Sequence, residues 1–347
     1  MRKMKNHYSL VSLIIVLFFS ISAFCSIPSN SASDSDNQFL GMWTLDIEGG
    51  GVGWLEVHNK QGFLDANLLW IGGSVLPVGH IYLKDENNLI VTRVFDRTVH
   101  KETDGKERKH RLTYTLDIRK VGDHLLGEMS GPGSNGKGQT TTAFIGKRLP
   151  SVPAAPDLSK LTFGKPVHLF NGKDLTGWRM INPEDKNGFK AVDGELVNDP
   201  VQPDESQHVH YGNLRTDQEF KDFNLQLEVN VPKGNNSGVY LRGMYEIQVF
   251  DSYGREKDSH HMGAVYSRIT PTVAAEKPGG SWQKLDITLC QRHISVKLNG
   301  QLIIDNQPVY GPTGGAIISD VFSAGPIYLQ GDHGKVSYRN MILKPIL

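Results

Sequence analysis

Residues 235–253 read Asn-Asn-Ser-Gly-Val-Tyr-Leu-Arg-Gly-Met-Tyr-Glu-Ile-Gln-Val-Phe-Asp-Ser-Tyr, and this order commits the chain to β structure. Val239 and Leu241 alternate with Tyr240 and Arg242; after a tight Gly-Met turn, Ile247 and Val249 alternate with Glu246 and Gln248. Successive side chains of a strand point to opposite faces. One face of this hairpin therefore packs a core. The other presents a tyrosine, an arginine, a carboxylate and an amide together, groups suited to a polyhydroxylated ligand. The same period governs 223–231, where Leu225, Leu227, Val229 and Val231 alternate with Gln226, Glu228 and Asn230. Long helical periodicity is scarce, glycines number 37, and Asn-Gly and Asp-Gly pairs recur. An all-β protein with many turns is expected.

The chain has 347 residues, enough for two domains. Lys plus Arg equals Asp plus Glu at 37 each, which argues against a nucleic-acid partner held by bulk charge. Arg2, Lys3 and Lys5 precede an apolar run at 10–19, and Ser22, Ala23 and Ser26 follow. That is the layout of a signal peptide over residues 1–26, with 27–37 a flexible polar tether. Export to the periplasm or the cell surface is expected. Cys25 at the cleavage point offers a lipid attachment and outer-membrane anchoring. The bulky Phe24 before it fits that poorly, so plain secretion is the favoured expectation and lipid attachment the alternative. The other cysteine, Cys290, lies in a strand-like run and reads as a small buried hydrophobe.

From 38 to 149 the pattern predicts eight strands, at 43–47, 54–57, 63–70, 80–83, 89–95, 112–118, 124–129 and 141–145. Eight strands in succession without helices predict an up-and-down β-barrel or a sandwich. The opening Gly41-Met-Trp43 resembles the start of lipocalin-like barrels. The charged run 97–111 reads as a solvated hairpin tip. Residues 150–161 carry three prolines and read as a linker. A second domain then spans 162–347. Its strand-like runs include 285–289, 294–298, 302–305, 327–330 and 336–343, with a hairpin turn at Asn299-Gly300. They predict a two-sheet sandwich with one solvated face.

Four ordered motifs in this second part carry a family resemblance. They are His168-Leu-Phe-Asn-Gly-Lys-Asp-Leu-Thr-Gly-Trp178; Asn236-Ser-Gly-Val-Tyr-Leu-Arg242 with Tyr245-Glu-Ile-Gln-Val-Phe-Asp251; His261-Met-Gly-Ala-Val-Tyr266; and Gly325-Pro-Ile-Tyr-Leu-Gln-Gly-Asp-His-Gly334 with Tyr338-Arg-Asn340. Residues 162–347 thereby resemble the 3-keto-disaccharide hydrolase domain family, long known as a domain of unknown function. The resemblance implies a concanavalin-like jelly roll and cleavage of glycosides that carry a ketone at C3. A base would remove the C2 proton, which the ketone makes acidic; the aglycone would leave C1 and water would add back. Such a site needs a base near C2, a hydrogen-bonding or cationic group near O3 and an acid near the glycosidic oxygen.

Glu246, His333, His261 and Arg242 are the candidate catalytic residues, with Glu246 as base and Arg242 as stabiliser of an enolate oxygen. An ion pair between Arg242 and Glu246 across the hairpin is the plainer alternative. Tyr240, Gln248, Asp251, Tyr266, Tyr328, Gln330 and Asp332 are the candidate substrate-binding residues. No organic cofactor is expected. A divalent cation stays open: His208 and His210 alternate on one face, with exposed imidazoles on a loop or strand edge the plainer reading, and Asp251 and Asp332 could each position a histidine or hold a cation, without the spacing of a known zinc or EF-hand site. The expected partner is an oligosaccharide or glycoside. Two competing readings remain. A conventional jelly-roll glycosidase would use Glu246 and Asp251, but five strand residues span about 16 Å, against about 5–9.5 Å for paired glycosidase carboxylates. A carbohydrate-binding protein without catalysis would need no titratable base.

Overall fold

The computed structural model describes residues 37–347 except 102, 134–135 and 204–207. The expected signal peptide, the expected tether up to residue 36 and Cys25 lie outside the described residues. Nine strands come first: β1 (Gly41–Ile47), β2 (Gly51–Lys60), β3 (Phe63–Trp70), β4 (Gly72–Pro77), β5 (His80–Asp85), β6 (Asn88–Lys101), β7 (Glu107–Val121), β8 (His124–Pro132) and β9 (Gln139–Arg148). They form one antiparallel sheet in the order β4-β3-β2-β1-β9-β8-β7-β6-β5. Every neighbour is also a neighbour in sequence except β1 and β9, which is the topology of an up-and-down barrel. Backbone bonds from Val78 to Ala66 and from Gly79 to Thr92 draw the open edges together. The interior is filled by side chains such as Trp43, Leu45, Leu55, Leu89, Leu116 and Ile118, all fully buried. The strand missed by the pattern is β4, whose glycine-rich start hides its alternation. The charged run 97–111 is the exposed tip of the β6–β7 hairpin, paired out to Lys101 and Glu107 with a register shift between Thr98 and His100.

The second part contributes β10 (Val167–His168), β11 (Trp178–Met180), β12 (Phe189–Val192), β13 (Glu195–Asn198), β14 (Leu214–Phe220), β15 (Phe223–Asn230), β16 (Asn236–Leu241), β17 (Tyr245–Phe250), β18 (Trp282–Cys290), β19 (His293–Leu298), β20 (Gln301–Pro308), β21 (Gly325–Leu329) and β22 (Val336–Pro345). One sheet runs β12-β13-β22-β15-β18-β19-β20 with β10 on β22; the other runs β11-β14-β21-β16-β17. Apolar residues of both, including Leu225, Val229, Val239, Ile247, Ile287 and Leu329, are buried between them as a jelly-roll core. The hairpin turn at Asn299-Gly300 forms as the sequence requires, with φ of 52° and 87°. Cys290 is buried and unpaired.

The proline-rich stretch after β9 lies along the sandwich, where Arg292 donates to Pro150 O (2.9 Å) and Asn306 to Pro156 O (2.9 Å). Barrel and sandwich also share apolar packing. Trp54 of β2 and Leu69 of β3 are buried in the same cluster as the sandwich core. The Arg268 guanidinium lies 4.0 Å over the Trp54 ring. This packing brings the turn between β3 and β4 against the solvated face of the five-stranded sheet.

Candidate active site

Two cross-strand rows make the floor. Tyr328 of β21 pairs with Tyr240 of β16, and Tyr240 with Glu246 of β17. In the next row Gln330 donates its backbone N–H to Gly238 O, and Gly238 pairs with Gln248. Alternation sends Val239, Ile247 and Leu329 into the core and turns the two rows outward. Above them is a cavity of about 380 Å³, lined by Asn236, Tyr240, Glu246, Gln248, Tyr266, Gln330 and His333, together with Gly72, Gly73, Gly314 and Gly315. That volume lies within the range of small-molecule sites.

Glu246 is 3% exposed. Burial pushes its carboxyl up to about 8, against the pull of the Tyr240 hydroxyl. The hydrogen-bond chemistry explains why so little opposes burial. The Tyr240 hydroxyl lies 2.8 Å from Glu246 Oε2 and 2.7 Å from Gly314 O. It has one proton to donate. A protonated Glu246 can donate to Tyr240 while Tyr240 donates to Gly314; an ionised Glu246 accepts the Tyr240 O–H instead and leaves the carbonyl unpaired. The Tyr240 ring is stacked on Tyr328 at 3.8 Å between centroids, and the Tyr328 hydroxyl donates to Gly315 O. Two glycines make room for this group. A Cβ at Gly238 would lie 2.3 Å from Glu246 Oε1, and one at Gly315, where φ is +83°, would lie 2.6 Å from the Tyr240 oxygen.

Three amides surround the carboxyl. Asn236 Oδ1, Gln248 Oε1 and Gln330 Oε1 are buried without a hydrogen-bond partner among the described residues. Gln248 Nε2 donates to His260 O at 3.1 Å, which fixes which end of that amide is free. Buried polar atoms left unpaired are costly, so a cluster of them at one cavity is a place prepared for donor groups of a ligand.

The walls come from three loops. Residues 258–267 run beside β17, with backbone bonds from Gln248 to Ala264, Gly263 to Gln248 and Tyr266 to Glu246. Residues 313–317 cross the aromatic pair, where Thr313 Oγ1 accepts the Glu246 N–H at 2.9 Å. The barrel supplies the third wall. Ser74 Oγ lies 2.7 Å from His260 Nε2, Val75 N–H donates to Ser267 Oγ at 3.0 Å, and Gly315 N–H donates to Ile71 O at 2.8 Å. His260 Nδ1 in turn lies 2.6 Å from Asp258 Oδ1, so the carboxylate holds the imidazole that holds the turn.

The structure brings Tyr240, Glu246, Gln248, Tyr266, Gln330 and His333 together at the cavity, and Tyr328 directly beneath it. It does not bring Arg242, Asp251, His261 or Asp332 there. Arg242 leaves the strand at φ +56°. Its guanidinium is buried, donating to Val321 O (2.7 Å) and Ser323 O (2.6 Å), and it makes no ion pair with Glu246. Asp251 turns back to accept the Gly234 N–H at 2.9 Å. His261 lies toward Phe250, ring centroids 6.0 Å apart. Asp332 accepts the Tyr211 N–H at 2.7 Å and meets His208 and His210. His333 stands at the rim, open to solvent on one side; crowding on the other pushes its imidazole below the usual value, against the pull of Asp332. Sequence reasoning missed Asn236, Gly72, Gly73, Gly314 and Gly315. Only the Gly-Gly-Ser run after Ile71 carried a signal, as a turn between strands.

Residues 165–344 match the family described as the 3-keto-alpha-glucoside-1,2-lyase-like domain. The chain belongs to this family. Among solved structures, it is similar to a candidate glycosyl hydrolase from Parabacteroides distasonis ATCC 8503, with 26% identity over 56% of this chain and 92% of that one and a TM-score of 0.42. A second candidate glycosyl hydrolase from the same organism matches at 25% identity over 52% of this chain and 100% of that one, TM-score 0.39. A carbohydrate-binding module from Bacillus subtilis matches at 14% identity over 48% of this chain and 93% of that one, TM-score 0.29. No curated protein matches the chain. As a member of the 3-keto-alpha-glucoside-1,2-lyase-like family, the protein is carbohydrate-active.

Proposed function

We propose that the protein is an exported enzyme that cleaves 3-keto-glycosides by removing the C2 proton, eliminating the C1 aglycone and adding water to the product. The observation that carries this reading is Glu246, a buried carboxyl raised to about 8 in a cavity with three unpaired amide ends. A proton beside a ketone is far less acidic than an ordinary carboxylic acid. A base raised toward 8 is better matched to it than one near 4.5, and is still ionised in part at neutral pH. Glu246 takes the C2 proton; Tyr240 follows by turning its O–H from the carboxylate to Gly314 O and accepting from the protonated Glu246. Asn236, Gln248 and Gln330 bind the sugar hydroxyls and hold C2 over Glu246. His333 at the rim donates to the departing glycosidic oxygen.

The conventional glycosidase reading is weaker. Among the described residues lining the cavity Glu246 is the one carboxylate, and Asp251 is turned away from it. Both canonical glycosidase mechanisms need a second carboxylate across the scissile bond. A non-catalytic sugar-binding site would have no use for a carboxyl held so far above its ordinary value. The test is aglycone release from a 3-keto-glycoside and from the same glycoside without the ketone. Release from the keto form alone supports elimination; release from the parent supports the conventional mechanism; binding without release supports a lectin-like role. Fractionation of expressing cells, with labelling by radioactive palmitate, tests export and lipid attachment at Cys25.

A further inference from the structure

We propose that His208, His210 and Asp332 form a binding site for a first-row divalent cation at the edge of the cavity. Asp332 Oδ2 lies 2.9 Å from His208 Nε2 and 3.0 Å from His210 Nδ1, and one ligand atom of each residue lies within 4.8 Å of the others. Around a zinc-sized ion, nitrogen and oxygen ligands sit at about 2.0–2.2 Å, hence roughly 3.4 Å from one another in a tetrahedron. The two Asp332 contacts, at 2.9 and 3.0 Å, need to open only slightly to admit one, with the imidazole nitrogens within 4.8 Å of each other.

The surroundings fit a metal site rather than a chance meeting of polar groups. The other oxygen of Asp332 accepts the Tyr211 N–H at 2.7 Å, which aims Oδ2 at the imidazoles. The second nitrogen of His210 faces Asp185 Oδ2 at 3.7 Å. A carboxylate behind a ligating imidazole fixes its tautomer and raises its basicity. Asp185 is itself held: its Oδ1 accepts from Asn182 at 2.8 Å, and the next residue, Lys186, bridges to Tyr211. Two imidazoles and one carboxylate suit zinc, iron, cobalt or nickel better than calcium or magnesium, and leave coordination positions open.

The role of such an ion rests on the elimination reading. Elimination builds negative charge on O3, yet no lysine or arginine lies among the described residues lining the cavity. Asp332 adjoins His333 in sequence, about 3.8 Å away at Cα. A cation held there can take two neighbouring sugar oxygens into its open positions and supply the missing charge.

The experiment uses the tag-free chain, stripped with EDTA and then given Zn(II) or Co(II). Bound metal is counted by mass spectrometry, affinity is read by calorimetry, and the Co(II) absorption spectrum reports the ligand set. One ion per chain is expected. Asp185→Asn should weaken binding about 10–100-fold, and His208→Ala/His210→Ala should abolish it. The control His80→Ala/His124→Ala should bind as the parent does. Both targeted imidazoles are exposed, so the double variant is expected to fold; the single His208→Ala serves if it does not. Failure to bind one equivalent, or equal affinity in parent and His208→Ala/His210→Ala, overturns the site. One ion bound with cleavage of the keto-glycoside independent of it overturns the role. Cleavage absent with or without metal tells against the reaction reading and leaves the site standing.

Discussion

Replacing Glu246 with Gln keeps the shape of the side chain and removes its ionisation. The folded protein holds this carboxyl at about 8 against a reference of 4.5. At about 1.4 kcal/mol per pH unit, that displacement amounts to about 5 kcal/mol. The sign follows from proton binding. Below 4.5 the group is protonated in both the folded and the unfolded chain, and the stability it confers is fully present. Between 4.5 and 8 the folded chain keeps a proton that the unfolded chain releases, so stability falls as pH rises, and the loss is complete above 8. Glu246→Gln carries no such dependence. Relative to the parent, it should be nearly neutral at pH 4.5 and more stable by up to about 5 kcal/mol at pH 8.5, while losing cleavage by two or more orders of magnitude. Urea unfolding of both proteins at pH 4.5, 6, 7.5 and 8.5 reads the first effect, and aglycone release reads the second. A stability difference that stays constant across this range, or full activity in the variant, refutes the assignment of Glu246 as a buried, proton-binding catalytic base.

Three further outcomes follow from the geometry. In the parent enzyme, kcat/KM should be bell-shaped in pH, rising at acid pH and falling above about 8, because cleavage needs Glu246 ionised and His333 protonated together while Glu246 holds its proton the more tightly; a plateau that extends above 8 would remove His333 as the acid. Gly238→Ala should push the Glu246 carboxyl aside and lower kcat about tenfold or more at little cost in thermal stability, because the backbone there is ordinary strand. Arg242→Met should cost about 2–4 kcal/mol in urea unfolding by stripping the Val321 and Ser323 carbonyls of a charged donor, with kcat of the folded protein close to that of the parent.

The floor of the site was legible in the sequence because it obeys a strict period of two. Tyr240, Glu246 and Gln248 follow from alternation alone. The same rule failed at Arg242, where the chain leaves the strand through a left-handed residue and takes the side chain with it. Asp251 enters through its place in the motif rather than by alternation, which puts it on the face opposite Glu246, and its carboxylate caps the turn at 232–235. The walls could not be read this way. Gly72 and Gly73 reach the cavity because Trp54 and Leu69 anchor the barrel in the sandwich core. That packing joins residues nearly two hundred positions apart, as the Ser74–His260 contact shows, and leaves no local pattern. The barrel reads from sequence as a separate domain of unknown purpose; its place at the cavity gives it a part in enclosing the substrate.

The central claim is that the reaction begins at C2. Cleavage of a 3-keto-glycoside in deuterium oxide, followed by NMR of the released sugar, reads that step directly. The account predicts aglycone release with solvent deuterium incorporated at C2 of the sugar, and no release from the parent glycoside. Release from the parent glycoside with C2 still carrying its original proton would contradict it.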